Sequence, residues 1–179
     1  MSGSNGGDIT SNIAALATMM GNLRGPHHAV VCTNWSHIHV DETGAPERAL
    51  GTKLLDLASP DAKLTPEQIV DVAHLQGTQH HVQPGIVSLT QPTELGTLYS
   101  LDELRAIADT THELDMHLHM DGARICNAAA SLGVELRETT ADVGVDVLSF
   151  GGTKNGLMGG EAVVFFRPEL ARHTPNIRK

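Results

Sequence analysis

Aromatic side chains are scarce in this sequence, which has one Trp, one Tyr and three Phe among its 179 residues. A folded core must therefore be built from Leu, Val, Ile, Ala and Met. Hydrophobic residues of all kinds make up 40% of the chain, an ordinary share for a globular protein. The composition argues against disorder, and the length suits one domain or a piece of a larger one.

Positive charge is also in short supply, because 12 Lys and Arg face 21 Asp and Glu, for a net charge of −9. The chain has no basic run, so nucleic acid and anionic membranes are not expected as partners. No segment approaches the ~20 apolar residues of a membrane span, and the N-terminus lacks a signal-peptide pattern. An acidic chain that binds a phosphorylated ligand must hold the phosphate with local backbone N–H groups.

Cysteine is nearly absent as well. Cys32 and Cys126 lie far apart without a CxxC spacing, so the sequence predicts no disulfide framework and fits a reducing cytoplasm. Eleven histidines are present, but none form an HExxH pair. The adjacent pairs at 27–28 and 80–81 are expected to point their side chains apart, which favours surface or loop roles over a zinc site.

The most informative stretch is residues 145–156, VDVLSFGGTKNG. It begins as an apolar run of strand length and then breaks into paired glycines around Lys154. A lysine held at a sheet edge by such a turn is partly desolvated, which disfavours the ammonium form. The free amine is the nucleophile that condenses with carbonyl groups. Taken alone, Lys154 is better explained as a solvated loop residue.

A second such place is residues 117–124, HLHMDGAR, where a short strand runs into Asp121, a glycine and Arg124. A lysine and an Asp–Arg pair, each just past a strand, form a constellation for pyridoxal phosphate. The lysine would bind the cofactor, and the aspartate would keep the pyridinium nitrogen protonated. Asp121 with its glycine is explained by itself as a turn, so the joint pattern carries the prediction.

These two segments, DGARICNAAASLG and DVLSFGGTKNGL, resemble the β-eliminating lyase and threonine aldolase family of fold-type-I pyridoxal phosphate enzymes. The resemblance covers nearly the whole chain. It implies that Lys154 carries pyridoxal 5′-phosphate, that Asp121 meets the pyridine nitrogen, and that Arg124 lies near the cofactor and the substrate carboxylate. An ion pair of Arg124 with Asp121 or a neighbouring carboxylate is an equally open alternative.

The remaining pattern predicts an α/β fold with a mostly parallel sheet and helices on both faces. Two capping boxes, at Thr65 and Ser100, mark helix starts. The predicted strands are residues 29–32, 53–57, 86–89, 117–120, 145–150 and 161–166, and the predicted helices are residues 13–20, 66 to about 74, 101 to about 114, and 125–132. Ligands of such a sheet gather beyond the carboxyl ends of its strands.

The start of the chain is a glycine-rich lead-in to the helix predicted at residues 13–20. A turn that feeds a helix start is an anion site, although a plain capped helix explains the same residues. The family places the cofactor phosphate at this helix N-terminus. The resemblance therefore implies Gly7, Thr10 and Ser11 as phosphate contacts.

Two further residues take roles from the resemblance. His37, in the sequence Ser-His-Ile, is implied to stack on the pyridine ring near the substrate's β-hydroxyl. Alternation would instead place His37 and His39 on one polar face of a strand. An imidazole with an ordinary pKa near ~6.5 suits proton transfer at neutral pH. Thr93 occupies the position of a histidine that helps many relatives select the β-hydroxyl, so it is a candidate substrate contact.

The resemblance also defines the expected extent and activity. Residues 1–179 correspond to a partial large domain, without the N-terminal arm and smaller C-terminal domain of relatives, which form homodimers or homotetramers whose sites a second subunit completes. The expected reaction cleaves a β-hydroxy-α-amino acid such as threonine to glycine and an aldehyde. Alternatives are a β-eliminating lyase, an aldolase for phenylserine-type substrates, an inactive fragment, and a non-catalytic α/β remnant.

Overall fold

A computed structural model describes residues 15–16, 27–172 and 174. Six strands form one sheet in the order β2-β1-β3-β4-β5-β6. Neighbours among the first five strands are parallel, and β6 runs antiparallel to β5. The strands are β1 His28–Thr33, β2 Lys53–Leu57, β3 Gln83–Thr90, β4 His117–Gly122, β5 Val147–Gly151 and β6 Glu161–Phe165. The predicted mostly parallel α/β fold is confirmed.

Helices connect the strands as the alternating pattern predicts. They are α1 His37–Val40, α2 Ala45–Leu50, α3 Pro66–Ala73, α4 Leu101–Glu113 and α5 Ile125–Leu132. Short 3-10 helices cover Ala141–Val143, Thr153–Asn155 and Pro168–Ala171. None of the helices within the described residues combines the length and apolar composition that a bilayer crossing requires.

Both predicted capping boxes are formed. The Thr65 hydroxyl accepts from the Gln68 N–H at 3.4 Å, and the Gln68 side chain accepts from the Thr65 N–H at 3.1 Å. At α4 the Ser100 N–H donates to Glu103 at 2.7 Å, and the Glu103 N–H donates back to the Ser100 hydroxyl at 3.2 Å. Each reciprocal pair satisfies two N–H groups that a helix start leaves without partners.

The sheet separates two apolar layers. On one face, α3, α4 and α5 pack on the strands through Ile69, Leu104, Ile107, Ile125 and the buried strand residues Val87, Leu118 and Met120. On the other face, the buried residues are Ala15, Leu16, Val30, Cys32, Ile38, Leu54, Ile86, Val147 and Leu170. Burying both faces of a parallel sheet is what makes its strands read as nearly continuous apolar runs.

Two local predictions are wrong, and one alternative is excluded. His37 and His39 lie in the short helix α1, not on one face of a strand, because Ser36 already turns the chain after β1. The rings of His27 and His28 do not point apart: their centroids are 4.4 Å from each other. β5 begins at Val147, two residues later than predicted, because the Val145 N–H donates to Thr140 and closes the preceding turn.

Candidate active site

The candidate residues follow the carboxyl ends of four neighbouring strands. His37 comes after β1, Thr93 after β3, Asp121 and Arg124 at the end of β4, and Lys154 after β5. Since β1, β3, β4 and β5 are consecutive in the parallel part of the sheet, their carboxyl ends share one edge. This is the edge at which α/β folds bind ligands. Gly7, Thr10 and Ser11, predicted as phosphate contacts, lie outside the described residues.

His37 is the first residue of α1, and its ring is held by a buried carboxylate. Its Nδ1 lies 3.1 Å from Oε1 of Glu42, whose side chain is fully buried. The hydrogen bond to Glu42 raises the pKa of His37 above 6.5, against the opposing effect of burial, and the charges of Glu94 and Asp121 add to the increase.

Asp121 is a buried acid at the end of β4, with 4% of its surface exposed. Its Oδ1 accepts from the Ala123 N–H at 2.9 Å, which shapes the turn that leads to Arg124. Its backbone carbonyl accepts from the Gln91 N–H at 3.0 Å. These two bonds fix the carboxylate at the edge of the sheet.

Two residues before Asp121, on the same side of β4, a buried network of three hydrogen-bonded side chains crosses strands β3, β4 and β5. The ring of His119 lies 2.9 Å from the Ser88 hydroxyl through Nδ1 and 2.8 Å from the Ser149 hydroxyl through Nε2. Complete burial lowers the pKa of His119 to about 3, so this imidazole is neutral at physiological pH. The Cα atoms of Ser149 and Asp121 are partners in the β4–β5 ladder, so this hydrogen-bond network ends next to Asp121.

Arg124 faces a carboxylate on the loop after β3. Its Nη1 lies 3.8 Å from Oε1 of Glu94, with 37% of the Arg124 side chain and 21% of the Glu94 side chain exposed. This contact matches the neighbouring-carboxylate alternative for Arg124. It leaves the outer part of the guanidinium accessible to a ligand.

Thr93, predicted to contact substrate, is engaged within its own loop. Its hydroxyl lies 2.6 Å from the hydroxyl of Thr97 and accepts from the Thr97 N–H at 3.2 Å. The Thr97 hydroxyl in turn bonds to the Asp61 carbonyl at 2.6 Å. Thr93 is 3% exposed, so these bonds give its hydroxyl a role in shaping the loop that presents Glu94.

Lys154 lies in the 3-10 turn Thr153–Asn155, directly after β5, and it is exposed. The desolvation expected at this lysine is therefore absent in the structure. The turn is tight: a Cβ atom at Gly152 would lie 2.8 Å from the Leu157 side chain and would also clash with the Gly160 carbonyl. Gly152, the second of the paired glycines, thus serves close packing of the turn.

Together these residues fit the donor set expected for pyridoxal phosphate. An accessible amine and a buried acid lie at the ends of adjacent strands, and an imidazole near the acid has a raised pKa. Within the described residues no group of three His, Cys, Asp or Glu side chains could hold a metal ion. Glu42, Glu94 and His119 escaped the sequence interpretation, because only the fold brings them to this edge.

Comparison with known proteins gives consistent matches. The family model for Beta-eliminating lyase matches residues 10–179. A low specificity L-threonine aldolase from Pseudomonas aeruginosa is 48% identical over 159 residues, which are 88% of this chain and 46% of that protein. The chain therefore spans about half the length of the curated relatives it matches.

Solved structures agree in fold. A threonine aldolase from Leishmania major superimposes with a TM-score of 0.85 at 32% identity, covering 96% of this chain and 48% of that one. Cystalysin from Treponema denticola, which contains pyridoxal 5′-phosphate, superimposes with a TM-score of 0.67 at 10% identity, covering 93% and 43% of the two chains. The second match supports the fold alone.

Proposed function

This chain belongs to the β-eliminating lyase family, and from that membership we propose that it is the cofactor-binding part of a threonine aldolase. The reaction would cleave a β-hydroxy-α-amino acid, such as threonine, to glycine and an aldehyde. The observation that carries the proposal is the placement of Lys154 and Asp121 at the carboxyl ends of adjacent parallel strands. The identity to a named threonine aldolase from P. aeruginosa, 48%, supports the choice of reaction.

Three residues would hold pyridoxal 5′-phosphate. Lys154 would bind it covalently through Nζ, Asp121 would bond to the pyridine nitrogen, and the ring of His37 would lie against it. When bound, the cofactor would supply an electron sink for the bond that breaks at the substrate's α carbon. A buried carboxylate such as Asp121 suits a protonated ring nitrogen, because a paired opposite charge offsets the cost of its burial.

His37 would move the proton of the substrate's β-hydroxyl. In its neutral form Nδ1–H donates to Glu42, which leaves Nε2 with a lone pair for that proton. Glu42 then stabilises the imidazolium that results, because its charge raises the pKa of His37. Arg124 would bind the substrate carboxylate with two parallel N–H bonds, a geometry that the planar guanidinium favours.

Other parts of the proposal concern assembly and the choice of substrate. Assembly into a homodimer or homotetramer, with a site completed by the second copy, stays a prediction. The natural amino acid also stays open between threonine and bulkier β-hydroxy substrates, because the Thr93 hydroxyl bonds within its own loop.

The first experiment adds pyridoxal 5′-phosphate to the chain and records its visible absorbance. A band shifted from that of the free cofactor is expected in the wild type, absent in Lys154→Ala and retained in Lys53→Ala, an exposed lysine on the far edge strand β2. No shifted band in the wild type would refute cofactor binding by this chain and favour a non-catalytic remnant.

A second measurement separates the reactions. Threonine and phenylserine are supplied to the loaded chain, and the released aldehyde and ammonia are assayed. An aldolase releases glycine and aldehyde, whereas a β-eliminating lyase releases ammonia. Ammonia without aldehyde would replace the proposed reaction with β-elimination, and cofactor binding without either product would indicate a fragment that binds but does not turn over.

A further inference from the structure

Asn155, the residue after Lys154, joins two parts of the candidate site. Its Nδ2 donates to the carbonyl of Gly151 at 2.7 Å, to that of Gly122 at 3.1 Å and to that of Ala123 at 3.2 Å. Its Oδ1 accepts from the N–H of Cys126 at 2.9 Å. One amide thus bonds to four backbone groups, three of which belong to the segment that follows Asp121.

These contacts suit an asparagine amide better than any other short side chain. Nδ2 carries two hydrogens, so three carbonyls at this distance satisfy both, with one bond shared. Oδ1 faces an N–H group, which fixes the orientation of the amide without ambiguity. Aspartate would present an oxygen to the three carbonyls, and alanine would leave all four groups without this partner.

The contact with Cys126 also supplies a missing helix cap. Cys126 is the second residue of α5, and the N-cap residue of that helix, Arg124, makes no capping bond with its side chain. The first N–H groups of a helix need partners from outside the helix. Asn155 provides one from a segment 29 residues away.

The segment around Lys154 lies at the surface of the protein. Lys154 and both of its neighbours in the turn, Thr153 and Asn155, lack full burial, and Leu157 and Met158 beyond them are exposed. Past the end of β5, the segment forms local backbone bonds: the Gly152 N–H donates to Gly160, and the N–H groups of Asn155 and Leu157 donate to Gly152. The Asn155 amide therefore joins this exposed turn to the end of β4, beyond the last pair of the β4–β5 ladder, Gly122 and Phe150.

We propose that Asn155 is a positioning residue: it holds residues 151–156, the lysine turn, against residues 121–124, the acid turn. It would thereby set where the Lys154 amine lies relative to Asp121 and Arg124. The inference rests on the proposed function for its catalytic meaning, because it concerns the amine that would bind the cofactor. Its structural part can be tested without cofactor.

Two variants separate positioning from simple capping. Asn155→Ala removes all four bonds, whereas Asn155→Asp keeps an oxygen that accepts from Cys126 and loses the three donations. If Asn155 only caps α5, Asn155→Asp behaves like the wild type. If Asn155 positions the lysine turn, both variants behave alike, and their agreement excludes the added charge as the cause. Asn127→Ala and Asn127→Asp, at an exposed position on α5, are matched controls.

The first readout is amide hydrogen exchange in the chain without cofactor. Exchange at Gly152 and Asn155 is expected to accelerate by about tenfold in both Asn155 variants, because the turn loses its bonds to the acid turn. At Cys126 only Asn155→Ala should accelerate. Unchanged exchange at Gly152 and Asn155 in both variants would overturn the inference whatever the cofactor does.

The second readout is the rate at which pyridoxal 5′-phosphate binds covalently to Lys154. Samples taken over time are reduced with borohydride, and the labelled peptide is measured by mass spectrometry. A decrease of about tenfold is expected in both variants and no decrease in the Asn127 controls. Normal rates in the variants, despite faster exchange, would overturn positioning and leave only a cap. No adduct on Lys154 in the wild type would refute the proposed function instead. The hydrogen-exchange result would still decide whether Asn155 holds the lysine turn against the acid turn.

Discussion

Nδ1 of His37 lies 3.1 Å from Oε1 of Glu42, a carboxylate that is 1% exposed. Within the described part of the chain, the other oxygen, Oε2, is buried without a hydrogen-bond partner. A buried carboxylate with only one strong partner gains most from that partner's positive charge. The pair is therefore arranged to favour an imidazolium at position 37, which explains the raised pKa of His37.

Glu42→Gln is expected to lower the pKa of His37 toward its ordinary value, because the amide cannot supply the negative charge. The raised pKa contributes stability that is full below about 6.5 and is lost as the pH rises through the folded-state pKa. The variant should lose this pH dependence. An NMR titration of the imidazole C–H signals measures the shift, with the exposed neighbour Asp41→Asn as control. An unaltered His37 titration in Glu42→Gln would contradict the pairing.

The importance of Glu42 was not predictable from the sequence, although much around it was. The glycine-flanked Lys154 and the DGAR segment predict the amine, the acid and the arginine by residue type and order, and the fold brings all three to the same edge of the sheet. Capping boxes and alternating apolar runs predict most helix starts and strands. Burial of one particular carboxylate depends on how α1 folds back on β1, and no local pattern in the sequence encodes that.

The arginine contact can be tested through substrate binding. Arg124→Lys is expected to raise KM for the amino acid by about tenfold with a smaller effect on kcat, because a lysine cannot bind a carboxylate with two parallel bonds. Steady-state kinetics on the loaded enzyme measure both parameters. Arg105→Lys, an exposed arginine that pairs with Asp102 on α4, is the control. An unchanged KM would mean that Arg124 serves only Glu94.

His119 should make the protein sensitive to mild acid. Its pKa is about 3 in the folded protein, below its ordinary value of 6.5, so the unfolded chain binds more protons between these values. Stability therefore falls as the pH drops below 6.5, by roughly 1 to 2 kcal/mol between pH 6.5 and 5 from this residue. Urea unfolding across that range should show the decline in the wild type.

His119→Gln tests whether His119 causes this loss of stability in mild acid, because glutamine does not titrate. Between pH 6.5 and 5, the free energy of unfolding of the variant should decline less than that of the wild type, by the part that His119 contributes. This holds whatever the stability of the variant at pH 7. His80→Gln replaces an exposed histidine and should keep the full decline. The same acid sensitivity in His119→Gln would mean that other groups cause it. Nothing in the strand pattern of HLHMDG singles out this histidine, since its partners Ser88 and Ser149 come from neighbouring strands.

The opposite end of the sheet depends on a buried carboxylate at the start of β5. Asp146 lies 2.6 Å from the guanidinium of Arg167 and 3.0 Å from His112, and it accepts from the Leu118 N–H at 2.7 Å. These contacts join β4, β5, α4 and the segment after β6.

Asp146→Asn removes the negative charge that Arg167, His112 and the Leu118 N–H share. The Arg167 side chain is 42% exposed, so its charge stays solvated, and the loss is that of hydrogen bonds to a charged acceptor, about 1.5–3 kcal/mol. A decrease of that order in the free energy of urea unfolding is expected. Asp142→Asn is the matched control, since its pair with Arg137 is exposed and should contribute far less. Equal effects of the two substitutions would show that Asp146 does not join these elements.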